Sequence, residues 1–414
     1  MKRLAMIACM VAALMIGAVA PSFAAREYSP EIKEYLKNVK KQRKAEDKKE
    51  REERKADSNR RLRPYQTLDE IYAEMDTLIA EKPELFSGGT YGRSVEGRDL
   101  RWIRLHTGPG DKPQVLISGN IHAQELAGGQ MVMALIRTFA EQYDQSCDIK
   151  KLADAVDVYF IPVLNPDGMA KAATQQPKYG ITGFVRKNVN KVDLNRNFPY
   201  PADAPDKLKN EAGSPQKYSE THRGVTPLSE PETKALIAFI DRHQFLLSLG
   251  YHTSGGLILY APGTYPDPFP DTELMRQIAL AYQTRQFDKY KVQPGIDLYP
   301  TLGDLDDYLY HHYGILAFTV EVGKNNEDQA TGVVNGTFSP IFWMYNVSRL
   351  DQEKANNVPG ALAMIQYAVT VHKDPSVLQW QPPQDLWVGE PPPPTEQAMD
   401  AVKADKTHPS PVEK

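Results

Sequence analysis

The stretch Gly119-Asn120-Ile121-His122-Ala123-Gln124-Glu125 lies between the apolar run Val115-Leu116-Ile117 and an apolar-periodic segment from Leu126 to Tyr143. That order reads as strand, tight loop, helix. The loop carries an imidazole and, three residues on, a carboxylate. Both are ligand types that zinc accepts, and they fall where a parallel sheet opens at the C-terminal edge of its strands. A lone His-x-x-Glu is a common pattern that also describes a surface histidine beside a helix-opening glutamate. Residues elsewhere in the chain have to decide between the two.

Working outward, Thr67-Leu68-Asp69-Glu70 reads as a capping box ahead of a helix over 71–81, which Pro83 ends. Residues 91–98 form a turn between two strands, the second over 100–105. After the 126–143 helix comes a strand over 156–162, closed by Asn165-Pro166-Asp167-Gly168, which reads as a turn. Residues 199–228 are rich in Pro, Lys and Asn and read as a long surface loop. A helix over 233–243, a strand over 245–249, helices over 271–290 and 305–313, a strand over 315–322 and a closing helix over 360–371 follow. Strands and helices alternate. The fold class expected is α/β, a mixed, mostly parallel twisted sheet flanked by helices on both faces.

The chain has 414 residues, 41% hydrophobic and 25% charged, which suits one large domain, residues 64–375, with extensions. Lys2-Arg3, an apolar run from Leu4 to Val19 and Ser22-Phe23-Ala24 read as a signal peptide over 1–24, so export to the periplasm or the exterior is expected. The run is short for a membrane anchor, and no later run reaches spanning length. Cys9 falls inside this leader, which leaves Cys147 as a lone thiol and excludes an internal disulfide from the mature chain. Residues 25–63 are a charged arm, helical or disordered. Residues 376–414 are a Pro-rich, polar tail. The arm segment 26–63 holds 15 Lys/Arg and 9 Asp/Glu, and the whole chain carries −4, so the body is acidic. An acidic body does not suggest a nucleic-acid enzyme.

A hydrolytic zinc site needs three protein ligands and an open position. His252 is the candidate third ligand, because it follows an apolar strand directly and precedes a Thr-Ser-Gly-Gly loop. The other histidines lack that combination. Glu321 lies inside the apolar strand Phe318-Thr319-Val320-Glu321-Val322, where an acid is costly unless paired or used. The run Val192-Asp193-Leu194-Asn195-Arg196-Asn197-Phe198 puts an arginine beside an asparagine, a pair suited to a carboxylate. Arg186-Lys187 lies just upstream.

Together these residues resemble the zinc carboxypeptidase family, that of carboxypeptidases A, B and T (peptidase family M14). The resemblance runs from about Tyr65 to Val371. It includes 122–125, 162–168, 193–198, 229–232, 251–255 and 318–321. It implies that His122, Glu125 and His252 bind one Zn2+ per chain and that Asp193 orients His122. Glu321 is then the general base, and Arg186 stabilises the oxyanion. Asn195 and Arg196 are implied to hold the free C-terminal carboxylate of a peptide substrate, and Tyr299 to close over it. The pocket-floor position falls on Asp306, with Asp304 close by, which implies basic or mixed C-terminal preference. The other reading of these two acids is that they cap the helix near Leu305 and face solvent. One departure is Gln124, where many relatives carry arginine. A monomeric, exported carboxypeptidase is expected. A peptidoglycan-peptide enzyme acting on diaminopimelate-containing termini is the alternative, and a non-catalytic peptide-binding module of the same fold a lesser one.

Overall fold

A computed structural model of the chain describes residues 65–174, 185–264, 268–324, 345–347, 349–373 and 387–388. The expected leader, the charged arm and nearly all of the Pro-rich tail lie outside the described residues. Helix α1 (Leu68–Glu81) opens with the capping box read from sequence. Thr67 Oγ1 accepts the Glu70 N–H at 3.3 Å, and the Glu70 carboxylate accepts the Thr67 N–H at 2.8 Å.

Strands β1 (Phe86–Arg93) and β2 (Asp99–Leu105) form the hairpin that follows. Next come β3 (Gln114–Gly119), helices α2 (Leu126–Gln142) and α3 (Cys147–Ala155), and β4 (Asp157–Ile161). Helix α4 (Pro166–Thr174) starts where sequence suggested only a turn. The proline stands at its first turn, where the missing N–H costs nothing, so a turn dipeptide there also opens a helix. A short strand β5 (Tyr200–Pro201) and helix α5 (Asp206–Glu211) precede α6 (Pro231–Ile240). The chain continues through β6 (Phe245–His252), β7 (Leu257–Tyr260), α7 (Thr272–Thr284), β8 (Lys291–Pro294), α8 (Leu305–Tyr313), β9 (Leu316–Glu321) and α9 (Leu350–Lys373). Strand β10 (Trp387–Val388) pairs antiparallel with β5.

The main sheet runs β1-β2-β4-β3-β6-β9-β7-β8. Its centre, β4-β3-β6-β9, is parallel throughout, and antiparallel pairings flank it at β2/β4 and β7/β9. Period-2 alternation sends successive side chains to two separate cores. Val115, Ile117, Val158 and Phe160 join one with residues of α1, α2, α7 and α9. Leu116, Tyr159 and Ile161 join the other with residues of α6 and α8. Helices therefore cover both faces, as expected of a parallel sheet.

Because α2 leaves β3 on one face while α6 and α8 lie on the other, a crevice opens beyond the C-terminal ends of β3 and β6. The first turn of α2 packs directly on those ends. A Cβ on Gly119 would come within 2.7 Å of the Gly128 carbonyl carbon, and one on Gly128 within 2.5 Å of the Tyr251 carbonyl oxygen. Segment 199–228, read from its composition as a surface loop, is one only in part: Lys217, Tyr218 and Val225 are exposed, while Tyr200, Ala204, Ala212, Ser214 and His222 are buried. Backbone bonds such as Asp193 N–H to His222 O at 2.8 Å tie the segment to the site.

Candidate active site

The loop after β3 is shaped by Asn120. Its φ of 56° lies in the left-handed region that asparagine tolerates better than most residues. Its Nδ2 donates to the carbonyls of His122, Ala123 and Glu125 at 3.1, 3.3 and 3.1 Å. The imidazole of His122 and the carboxylate of Glu125 are thereby presented from a braced turn. Glu125 is the N-cap residue of α2, yet its side chain makes no cap bond. Asn346 caps the helix instead, accepting the Leu126 N–H at 2.9 Å.

His252 ends β6, and its side chain meets the same loop. His122 Nδ1 lies 2.8 Å from Glu125 Oε1, His252 Nδ1 lies 3.1 Å from Glu125 Oε2, and the two Nδ1 atoms are 3.1 Å apart. All three residues are buried, and their ligand atoms fall within 4.8 Å of one another, so the group can hold a metal ion. Two imidazole nitrogens and a carboxylate turned on one point is a donor set that zinc takes. Burial disfavours a charged Glu125, but the two imidazoles outweigh it and hold the carboxyl well below the usual carboxylate range. Burial likewise opposes a charged His252, and the Glu125 carboxylate outweighs it and moves the imidazole upward.

Asp193 lies behind this cluster and is fully buried. Its Oδ1 stands 3.2 Å from His122 Nε2 and accepts the Asn195 N–H at 3.0 Å, while Oδ2 accepts from Arg186 Nε at 2.9 Å. Burial raises the cost of its charge, but Arg186 and His122 more than offset that and keep it ionised. One carboxylate thus orients both an imidazole of the metal cluster and the guanidinium beside it. Arg186 Nη1 is 4.0 Å from Glu125 Oε1.

His122, Arg186, Asn195, Arg196 and His252 line one cleft, together with Tyr299, Asp306 and Glu321. Of the residues singled out from sequence, Glu125 stands in the candidate metal cluster beside this wall, while Asp193 lies behind the cluster and Gln124 is not on the wall. Glu321 is the last residue of β9, and burial pushes its carboxyl up. Asn195 Oδ1 accepts the Leu305 N–H at 2.9 Å, which fixes its amide at the cleft. Arg196 is 2% exposed and donates from Nη1 to its neighbour's carbonyl at 2.6 Å. Among the described residues its Nε has no hydrogen-bond partner and no carboxylate stands within ion-pair distance. Tyr299, on the loop before α8, is 48% exposed at the mouth.

The acids of α8 divide their roles. Asp304 does cap the helix, accepting the Asp307 N–H at 3.0 Å, but it is buried rather than facing solvent. Asp306 faces the cleft and accepts from Thr319 Oγ1 at 2.7 Å. Burial, helped by Asp304, pushes its carboxyl up to about 6. Asp307, which sequence reading passed over, accepts the N–H groups of Gly263 and Thr264 at 2.8 and 2.7 Å and so fixes one wall. Gln124 is buried, and among the described residues neither end of its amide has a partner. Asn346 also escaped the sequence reading. It lies 220 positions from the helix it caps, and no local pattern marks it.

The family model described as zinc carboxypeptidase matches residues 71–344. Among curated proteins, carboxypeptidase A1 of Bos taurus is 32% identical over 266 residues, covering 62% of each chain. Carboxypeptidase A2 of Rattus norvegicus is 30% identical over 260 residues, covering 61% of each. The chain thus spans about three fifths of the length of these relatives. Among solved structures, thrombin-activatable fibrinolysis inhibitor superposes with a TM-score of 0.64 at 20% identity, over 74% of this chain and 75% of that one. Carboxypeptidase A from Helicoverpa armigera gives 0.61 at 22% identity, over 75% of each. At these identities the structural likeness concerns the fold.

Proposed function

The chain belongs to the zinc carboxypeptidase family, and on that premise we propose that its cleft removes the C-terminal residue of a peptide by zinc-assisted hydrolysis. The observation that carries this reading is Arg196, a buried guanidinium at the cleft with no carboxylate partner among the described residues, beside a three-ligand metal cluster. A buried cation needs a counter-charge, and the one that every peptide supplies whatever its sequence is its free C-terminus. Internal peptide bonds would leave the guanidinium unpaired, so the site favours exopeptidase action.

His122, Glu125 and His252 would hold the zinc, which when bound supplies Lewis acidity for the scissile carbonyl and the attacking water. Glu321 takes a proton from that water at its carboxylate and delivers it to the leaving amine, and its upward-shifted carboxyl supports this double use. Arg186, with Nε committed to Asp193, directs its remaining N–H groups at the developing oxyanion. Asn195 and Arg196 hold the terminal carboxylate, and Tyr299 closes over it. Asp193 keeps His122 and Arg186 in place.

Asp306 and Asp304 support a preference for basic or mixed C-terminal residues. A diaminopimelate terminus offers the same ammonium group, so a peptidoglycan peptide is the second reading, favoured by these two acids alone. The leader-like residues 1–24 support export, and the monomer expected from sequence is kept as part of the proposal. Hippuryl-Arg, hippuryl-Phe and a diaminopimelate muropeptide, assayed side by side with the zinc-loaded protein, test the proposal. Cleavage of hippuryl-Arg is expected to be fastest. Muropeptide cleavage with no hippuryl activity would replace the first reading by the second.

A further inference from the structure

We propose that Asn346 is a positioning residue for the metal ligand Glu125. Its amide bridges the two residues that flank this carboxylate and so fixes the backbone from which it projects. The inference rests on the reading of His122, Glu125 and His252 as a zinc site.

The argument starts from the position of Glu125. It is the N-cap residue of α2, where the first N–H groups of a helix lack partners and the helix dipole attracts a negative charge. A carboxylate there is pulled toward the helix start. The same carboxylate is needed by His122 and His252, which it meets at 2.8 and 3.1 Å. The two demands compete for one side chain.

The amide of Asn346 resolves the competition. Its Oδ1 accepts the Leu126 N–H at 2.9 Å, and its Nδ2 donates to the Gln124 carbonyl at 2.8 Å. It therefore bridges the residues immediately before and after Glu125. Asn346 is fully buried, so water does not compete for these bonds. Only a side chain with both a donor and an acceptor serves the two groups; aspartate keeps the acceptor alone, and alanine keeps neither.

The neighbours of Asn346 extend the clasp. The Tyr345 carbonyl accepts from Thr253 Oγ1, one residue past His252, and the Val347 carbonyl accepts from the Tyr65 hydroxyl at 2.5 Å. Three successive residues thus tie the Glu125 loop, the His252 loop and the segment before α1 together. Without the amide, Leu126 N–H and Gln124 O lose these partners on both sides of Glu125, and the turn that aims its carboxylate is free to shift.

The test is metal binding rather than turnover. Asn346→Ala and Asn346→Asp are stripped with chelator and titrated with Zn2+ against a chromophoric competitor, and with Co2+ followed by its visible spectrum. Asn346→Ala is expected to weaken zinc binding by about 10–100-fold, the usual loss when a group supporting a ligand is removed, with a changed Co2+ spectrum. Asn346→Asp is expected to fall between it and the unaltered chain. If Asn346→Ala binds zinc within twofold of the unaltered chain with the same Co2+ spectrum, Asn346 is an ordinary helix cap and the inference is overturned, even if thermal stability drops. Where Asn346→Ala does not fold, Asn346→Asp decides by the same twofold criterion. An unaltered chain that takes up no zinc overturns the metal reading itself.

Discussion

His252 and Glu321 are register partners at the last pair of the parallel strands β6 and β9. Partners in a register share a face, so the base candidate stands beside a candidate metal ligand because of strand pairing and not because of a loop's conformation. Glu321→Gln keeps the shape and removes the proton carrier. It is expected to lower kcat by about 10²–10⁴-fold while zinc content stays at one per chain. Kinetics with metal analysis on the same sample checks both, and activity within tenfold of the unaltered enzyme would refute the assigned base.

Arg196 is the second point of attack. Arg196→Ala is expected to cut kcat/KM on peptides with a free C-terminus by about 10²–10³-fold, the scale of losing one member of a buried charge pair. C-terminally amidated peptides should be equally poor for both proteins. A variant as fast as the parent on free-terminus peptides would remove the case for an exopeptidase.

Asp306, as the proposed pocket floor, is expected to make selectivity depend on pH. Its carboxyl sits at about 6 because burial, then Asp304, disfavours the charge, so it is neutral below that pH and anionic above it. The ratio of kcat/KM for hippuryl-Arg over hippuryl-Phe should therefore rise between pH 5 and pH 7. Asp306→Asn should flatten that rise and lower the ratio at neutral pH. Taking a ratio cancels titrations that act on both substrates, Glu321 among them.

Gln124 is buried, and both amide ends are unpartnered among the described residues. Replacing an unsatisfied polar group by an apolar one of similar shape is neutral or stabilising. Gln124→Met should leave the melting temperature unchanged or raise it, by up to a gain of about 1 kcal/mol. A clear drop in a thermal melt would mean that the amide has a partner in solution.

How much of this was legible in the sequence differs from residue to residue. His252 could be found because an apolar strand ran straight into it, and α8 because Asp304 and Gly314 bracket a periodic run. The start of α4 was misread because Asn-Pro-Asp-Gly suits a turn and a helix start equally. Strand β7 is only four residues long and gives little pattern to recognise. Segment 199–228 hid its burial because backbone bonds and scattered aromatics hold it, neither of which has a period. The shared use of Asp193 by His122 and Arg186, and the clasp at Asn346, join residues distant in sequence, and only the folded chain brings them together.

The two halves of the cleft have different origins. The proposed metal ligands and base stand at or just after the ends of β3, β6 and β9, in the rigid centre of the sheet. The opposite wall comes from Gly263, Gly295, Leu298, Thr301 and the start of α8, segments that follow β7 and β8 at the margin. Substitution at Leu298 or Thr301 can therefore redraw that wall while the proposed ligands and base stay where the central strands put them. Exchanging those two residues between related chains, with Tyr299 and the Leu305 N–H that fixes Asn195 left in place, should exchange appetite, which makes the margin of this sheet a natural place for both divergence and redesign.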